Sequence, residues 1–382
     1  MGCRRSGDAS GVHAIANAFG PAARPATIGL EEELMLLDPV TLDLTPCAAD
    51  VLARLEGDPR FVPELPAAQL EIVVPPVATV GEAIAELAVA RADLVRAADG
   101  LARPAGAGVH PFAAGVGAVA PGARYAALLE EYGDGVMRRQ LAFGLHVHVA
   151  LGGPDRVLPV YDALREELPA IAALAAASPF YEGADTGLAS ARPKVADLLP
   201  RQGVPPELPS WEAYADALRW PARAFADACW WWELRPHPVH GTLEVRVADT
   251  QATVADTAAV AAVVHALVAT LARRHDAGEL PPPAPTWRIA ENRWSACRHG
   301  VRGTWTDPRT GATRPTAARL HDLLDALAPA AEGLGCAAEL EAARDLVERP
   351  RAESARALGP QGLAAAAAAR FLAPGSCPHT DI

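Results

Sequence analysis

The sequence predicts an α+β protein in which one sheet has helices on one face and ionisable side chains on the other. Four short segments alternate apolar and ionisable residues, as strands with one buried face do. Longer alanine- and leucine-rich segments between and after them have the composition of packed helices. The predicted strands are Thr27–Leu37, Ala68–Val74, Leu141–Leu151 and Gly241–Ala248. The predicted helices are Val80–Ala102, Asp155–Ala177, Ser210–Cys229, Thr253–Ala277, Thr316–Val347 and Arg351–Leu372.

Length and charge limit the classes of protein to consider. The 382 residues are enough to bury a large core. We expect a disordered leader over residues 1–24 and a single catalytic domain over residues 25–375. The 34 basic and 46 acidic residues give a formal charge of −12. Nucleic acids and anionic membranes bind basic surfaces, so neither is expected as a partner.

The cysteines and the apolar segments predict a cytoplasmic protein. The six cysteines, at positions 3, 47, 229, 297, 336 and 377, include no pair at zinc-finger or redox spacing, which favours reduced thiols. The predicted leader has no continuous apolar stretch of the secretory type. The longest apolar segment, Thr257–Ala272, is interrupted by His265 and is too short to cross a bilayer.

The predicted strands bring ionisable residues together because alternate side chains share a face. Glu31 and Glu33, for example, lie on one face roughly 7 Å apart, the length of two strand rises. The same alternation places His146 beside His148. The full set that one face would present is Glu31, Glu33, Glu71, His146, His148, Glu244 and Arg246.

Carboxylates gathered on one face repel each other unless a cation lies among them. Oxygen ligands favour Mg²⁺ or Mn²⁺, and Mg²⁺ is commonly held by a few carboxylates together with substrate phosphates. The alternative is an ordinary solvated sheet face, which alternates in the same way. The near-exclusive use of Glu, His and Arg on four strands favours the metal–nucleotide site, because solvated faces usually mix in Lys, Thr, Ser and Gln.

The same segments resemble the carboxylate–amine ligase family typified by the bacterial YbdK proteins, a branch of the glutamate–cysteine ligases. Six motifs in order carry the resemblance over about residues 27–345. They are Ile28–Glu33, Glu64 with Gln69–Ile72, Phe143–Val149, Ser178–Gly187 with Ser190 and Arg192, Leu234–Asp249, and Glu291–Trp294 with Arg298 and Gly300. The family's arginine-containing motif near the C-terminus has no counterpart here, where Gly362-Leu363-Ala364 leads into an alanine run.

The resemblance implies a glutamine-synthetase-like fold with the active site on the concave face of a curved antiparallel sheet. It also implies an ATP-dependent ligase that uses Mg²⁺ or Mn²⁺ and acts on small-molecule substrates. The expected substrates are an amino acid, with the side-chain carboxylate of glutamate as the expected acid, and an amine such as cysteine. A homodimer is left open. By position, the expected metal ligands are Glu31, Glu33, Glu64, Glu71, His146 and Glu244. The expected catalytic residues are Arg246, Glu33 and Glu244. Substrate contacts are expected from Arg192, Arg235, Ser190 and Asp185, and nucleotide contacts from Arg246, Asn292 and Arg298.

Several residues have competing interpretations. Glu32 points away from Glu31 and Glu33, so we expect a structural role for it. The Trp230–Trp232 cluster is typical of packed aromatic residues. Two other functions stay open: a zinc metallohydrolase that uses His146 and His148, and a catalytically degenerate ligase fold used for binding.

Overall fold

The structure, a computed structural model, describes residues 12, 15–20, 26–223 and 230–373. It is an α+β fold, as the sequence predicts. The strands are β1 (Ile28–Leu37), β2 (Phe61–Pro63), β3 (Gln69–Val77), β4 (Arg103–Ala105), β5 (Gly144–Ala150), β6 (Phe180–Tyr181), β7 (Ala184–Asp185), β8 (Leu234–His237), β9 (Thr242–Asp249), β10 (Thr304–Thr306) and β11 (Thr313–Pro315).

The helices within the described ranges include short connecting turns as well as long core elements. They are α1 (Ala48–Arg54), α2 (Val80–Ala98), α3 (Ala123–Tyr132), α4 (Asp134–Met137), α5 (Pro154–Arg165), α6 (Leu168–Ala175), α7 (Arg192–Ala196), α8 (Trp211–Arg219), α9 (Val254–Asp276), α10 (Thr286–His299), α11 (Thr316–Leu334), α12 (Ala337–Glu348) and α13 (Arg351–Ala369).

One antiparallel sheet organises the fold. Its strands lie in the order β2-β3-β1-β5-β9-β8, and β4 pairs with the end of β1. All four strands predicted from the sequence are therefore present and adjacent. The sequence did not predict the short strands β2, β4 and β8, because segments of three or four residues carry too little alternation to recognise.

The apolar face of this sheet forms the main core. Leu30, Leu34 and Leu36 of β1 are buried there with Leu145 and Val147 of β5. Helices α2, α5, α6 and α9 contact the sheet on this side. Helix α9 is long enough and apolar enough to cross a membrane. However, 78% of its most apolar 18-residue stretch is buried inside the protein, as in a central core helix.

Glu32 lies on the apolar face, where a buried ion pair satisfies it. Glu32 and Arg91 of α2 both have fully buried side chains, and their closest N–O distance is 2.6 Å. The hydroxyl of Thr257 on α9 also donates to Glu32 at 3.0 Å. The carboxylate thus ties β1 to two helices, which confirms the structural role predicted for it.

Glycine and proline explain where the predicted helices divide. The segment predicted as Thr316–Val347 divides at Gly335, which ends α11 in the left-handed region at φ 71°. The segment predicted as Asp155–Ala177 divides before Pro169, which has no N–H to continue the ladder of α5. In the segment Ser210–Cys229 only α8 and a short 3₁₀ turn lie within the described residues.

Part of the predicted leader packs on the fold, which corrects the expectation of disorder for residues 15–20. The Phe19 side chain is 2% exposed and belongs to the main core. Its ring centroid lies 5.1 Å from that of Trp211. The remaining leader residues, apart from residue 12, lie outside the described part of the chain.

Candidate active site

The ionisable residues of four strands meet on the sheet face opposite the main core. Glu33 of β1 is the register partner of Glu71 on β3, and Glu31 is the partner of His146 on β5. Across β5, His148 is the partner of Glu244 on β9. Distant segments of the chain therefore supply one continuous polar surface.

Glu31 lies at the centre of this surface, between two histidines. Its Oε2 lies 3.0 Å from Nδ1 of His146, and its Oε1 lies 3.3 Å from Nε2 of His148. Although burial opposes ionisation, the hydrogen bonds with the two imidazoles hold the pKa of Glu31 well below its usual value. Glu31 is therefore a permanent carboxylate.

The neighbouring carboxyl groups behave in the opposite way. Burial, together with the charge of Glu64, raises the pKa of Glu33 to about 7. Burial likewise raises the pKa of Glu64. Burial and the charges of Glu31, Glu64 and Glu33 raise the pKa of Glu71 well above its usual value. Glu33, Glu64 and Glu71 therefore all resist ionisation. A cation bound among them would favour their ionised forms.

Glu244 is held between two arginines. Its fully buried carboxylate accepts hydrogen bonds from Arg235 of β8 and from Arg246 on its own strand. Burial opposes its ionisation, but the two guanidinium groups keep the pKa of Glu244 well below normal. Arg246 is largely buried, with 18% of its side chain exposed, and the charges of Glu244, Glu33 and Glu31 outweigh that burial and raise its pKa. Arg246 is therefore a fixed cation beside the carboxylates.

Two groups of side chains have the spacing that a metal ion needs. The carboxylate and imidazole atoms within each group lie within 4.8 Å of one another. The groups are Glu31, Glu71 and His146, and Glu31, His148 and Glu244. In the described structure, the buried Nε2 of His146 makes no hydrogen bond. An unsatisfied buried nitrogen beside crowded carboxylates fits a divalent cation.

Arg192, at the start of α7, donates to the backbone of β9. Its Nη2 lies 3.0 Å from the carbonyl oxygen of Arg246, and its Nη1 lies 3.3 Å from that of Val247. The neighbouring Ser190 hydroxyl donates to Asp249 at 2.8 Å. Arg192 and Ser190 thus lie at the margin of the cluster, against the strand that carries Arg246.

Three other residues expected at the site have contacts away from the cluster. Asp185 forms an ion pair with Arg356 of α13 at 2.9 Å. The amide of Asn292 exchanges two hydrogen bonds with the backbone of Thr306. Arg298 is exposed and donates to the carbonyl of Gly187. These contacts join loops and helices, so the substrate role of Asp185 and the nucleotide roles of Asn292 and Arg298 stay predictions.

Two histidines at the edge of the cluster were not expected. The rings of His237 and His240 are stacked with centroids 4.2 Å apart, and each centroid lies 5.7 Å from that of His148. His237 lies two residues after Arg235 in β8, a strand too short to recognise from its alternation. His240 is in the β8–β9 turn, where no alternation applies. The ring of Trp230 is buried in the main core, as predicted for a packed aromatic residue.

Solved structures share this fold. A glutamate–cysteine ligase of Francisella tularensis, crystallised with AMP, superposes with a TM-score of 0.66 at 13% identity, covering 93% of this chain and 90% of that one. A bifunctional glutathione synthetase of Pasteurella multocida gives a TM-score of 0.65 at 15% identity, covering 94% of this chain and 53% of its own. The fold is thus that of the glutamate–cysteine ligases.

Sequence comparison identifies the family. The model of glutamate–cysteine ligase family 2 matches residues 27–364. A protein of Thermobifida fusca, provisionally named glutamate–cysteine ligase 2, is 36% identical over 86% of this chain and 85% of its own. A Rubrobacter xylanophilus protein, provisionally named glutamate–cysteine ligase 2-3, is 39% identical over 88% of this chain and 94% of its own. The chain belongs to glutamate–cysteine ligase family 2, which confirms the resemblance seen in its motifs.

Proposed function

We propose that the protein is an ATP-dependent ligase that activates an amino-acid carboxylate as an acyl phosphate and joins it to an amine. The names of its relatives suggest the side-chain carboxylate of glutamate as the acid and cysteine as the amine. The observation that carries the proposal is the meeting of Glu31, Glu33 and Glu71 with Arg246 on one face of the sheet.

The chemistry requires activation, because hydroxide is a poor leaving group from a carboxylic acid. Phosphorylation by ATP makes phosphate the leaving group, and the amine can then displace it. Phosphoryl transfer depends mainly on positioning and on neutralising charge. Arg246 would stabilise the charge on the transferred group, since its planar guanidinium suits phosphate oxygens. Glu244 would hold Arg246 and Arg235 in place for that task.

The carboxylates would hold the divalent cation that the family implies. Glu31 fits best as a permanent ligand because its pKa is already low. Glu71 and His146 complete one group of three, and Glu33 and Glu64 lie beside it. Mg²⁺ or Mn²⁺ bound here would neutralise these carboxylates and supply positive charge for the phosphates of the nucleotide.

Arg235 is the strongest of the expected substrate contacts. Its side chain is 25% exposed while its guanidinium donates to Glu244 and to the carbonyl of Trp230, so part of the side chain is open to a ligand. A substrate carboxylate or a phosphate could bind there in bidentate fashion. Substrate contacts by Asp185 would require the loop that carries it to move from its ion pair with Arg356.

The test is release of ADP from ATP and Mg²⁺ in a matrix of amino acids and amines, with omission of each substrate in turn. A ligase releases ADP only when both an acid and an amine are present, and mass spectrometry detects the amide. Amide cleavage that needs zinc and no ATP would instead support the metallohydrolase. Nucleotide binding without turnover for any pair would support the degenerate ligase fold.

A further inference from the structure

Strand β9 is irregular at the point where it presents Arg246. Val245 is the partner of Val147, and Ala248 is the partner of Leu145. Three steps along β9 therefore match two steps along β5, which is a β-bulge. The bulge allows both Arg246 and Asp249 to lie on the polar side, while Val245, Val247 and Ala248 are buried in the main core.

The segment from Ser178 to Arg192, which lies outside the main sheet, makes hydrogen bonds to this bulge. Arg192 donates to the carbonyls of Arg246 and Val247 within the bulge, at 3.0 and 3.3 Å. Ser190 donates to Asp249, the residue that follows the bulge, at 2.8 Å. The same hydroxyl accepts the backbone N–H of Arg192 at 3.3 Å. Both ends of the irregular stretch are thus attached to one short loop.

The guanidinium of Arg192 reaches β9 through space left by Gly144. A Cβ on Gly144 would lie 2.3 Å from Nη2 of Arg192, so an alanine there would force the guanidinium to move. The N–H of Gly144 also donates to the carboxylate of Glu33. This glycine therefore lets Arg192 approach the strand at the position where Glu33 is anchored.

We propose that Arg192 and Ser190 are positioning residues, which fix the β9 bulge and thereby aim Arg246 at the transferred phosphate. The proposal rests on the proposed ligase function and goes beyond it, because it assigns the two residues to the strand rather than to the substrate. A guanidinium can donate to two carbonyls at once, which a lysine ammonium at the end of a flexible chain does poorly. Misplacement of a reacting group by about 1 Å can lower a rate by about 100-fold.

A double-mutant cycle tests the proposal. We expect Arg192→Lys to lower kcat by about tenfold or more with little change in the KM for the amino acid. In the Arg246→Lys background, the further change Arg192→Lys should lower kcat only slightly, because the guanidinium that Arg192 positions has already been replaced. Lys194→Gln, in the same helix with its side chain 41% exposed, is the matched control and should leave kcat unchanged. Gly144→Ala should reproduce the loss of kcat.

Three outcomes would overturn the proposal. A rise in KM with unchanged kcat would make Arg192 a direct substrate contact. If the two substitutions lower kcat in the double variant by the product of their separate effects, Arg192 does not act through Arg246. Amide hydrogen exchange of residues 245–249 provides a readout that needs no turnover: it should accelerate in Arg192→Lys and in Ser190→Ala. Unchanged exchange would reject the proposal, whereas absence of turnover in the wild type would reject only the ligase function.

Discussion

Glu33 on β1 and Glu71 on β3 are directly opposite each other in antiparallel register, on the polar face of the sheet. Directly opposed like charges destabilise a strand pair. Burial is the main reason that the pKa of each group is raised, and nearby carboxylates raise both further. A cation bound between the two strands would neutralise these charges and so stabilise the sheet. Glu33 and Arg246, the residues of the first two predictions, both depend on that cation.

The first prediction concerns Glu33. Glu33→Gln keeps the size of the side chain but removes the charge, so turnover should fall by roughly 100-fold or more. The midpoint of thermal unfolding should not fall, because Arg246 keeps its hydrogen bond to Glu244 and Glu71 loses a repelling neighbour. Measuring kcat and the unfolding midpoint on the same preparation separates the two effects. Turnover equal to that of the wild type would remove Glu33 from the catalytic set.

The second prediction concerns Arg246. Arg246→Lys should lower kcat by about 10- to 100-fold, since a single ammonium replaces the bidentate guanidinium. Steady-state kinetics at saturating ATP measures it. Arg156→Lys is a suitable control, because Arg156 pairs with Asp276 on the surface and each side chain is about two-fifths exposed. Wild-type kinetics in Arg246→Lys would exclude the phosphate role.

A third prediction concerns stability. Glu32 and Arg91 are fully buried partners on the apolar face. Removing one partner leaves the other charge buried and unpaired, so Arg91→Met should lower the free energy of unfolding by about 3–5 kcal/mol. Urea denaturation measures this change. Arg302→Gln breaks an ion pair with Glu353 in which both side chains are half exposed, and it should lower the free energy of unfolding much less. Equal losses in the two variants would contradict this account of Glu32.

A fourth prediction concerns pH. Nδ1 of His110 accepts the backbone N–H of Ala113 at 2.8 Å, and Nε2 lies 2.9 Å from the carbonyl oxygen of Leu42, so the ring must be neutral. Burial lowers the pKa of His110. The unfolded chain therefore binds a proton near pH 6.5 that the folded protein does not bind, and stability is lost as the pH falls below that value.

His110→Gln removes this titration. Between pH 7.5 and pH 5.5 the free energy of unfolding should fall further in the wild type than in the variant, as measured by urea denaturation at both values. Equal decreases would show that His110 does not contribute to the pH dependence.

The sequence predicted the four central strands because their alternation is regular over seven or more residues. The same alternation predicted that Glu31, Glu71, His146 and Glu244 share a face, and the antiparallel register confirms it. Resemblance to a family added Glu64 and Arg235, which lie in or beside strands too short to recognise.

Other features depend on the folded chain. The β9 bulge could not be predicted, because an extra residue in one strand is visible only against its partner. Arg192 is attached to the backbone of Arg246 at that bulge, so this contact could not be predicted either. The burial of Phe19 depends on Trp211, which is distant in the chain, so composition alone suggested a disordered leader.

The most direct test of the central claim is the position of the metal in crystals grown with Mn²⁺ and ADP. Anomalous diffraction locates Mn²⁺ without reference to activity. The account predicts a peak about 2.1 Å from a carboxylate oxygen of Glu31, with Glu71 or His146 as a further ligand. Manganese bound elsewhere on the protein, with this cluster holding neither metal nor nucleotide phosphate, would contradict it.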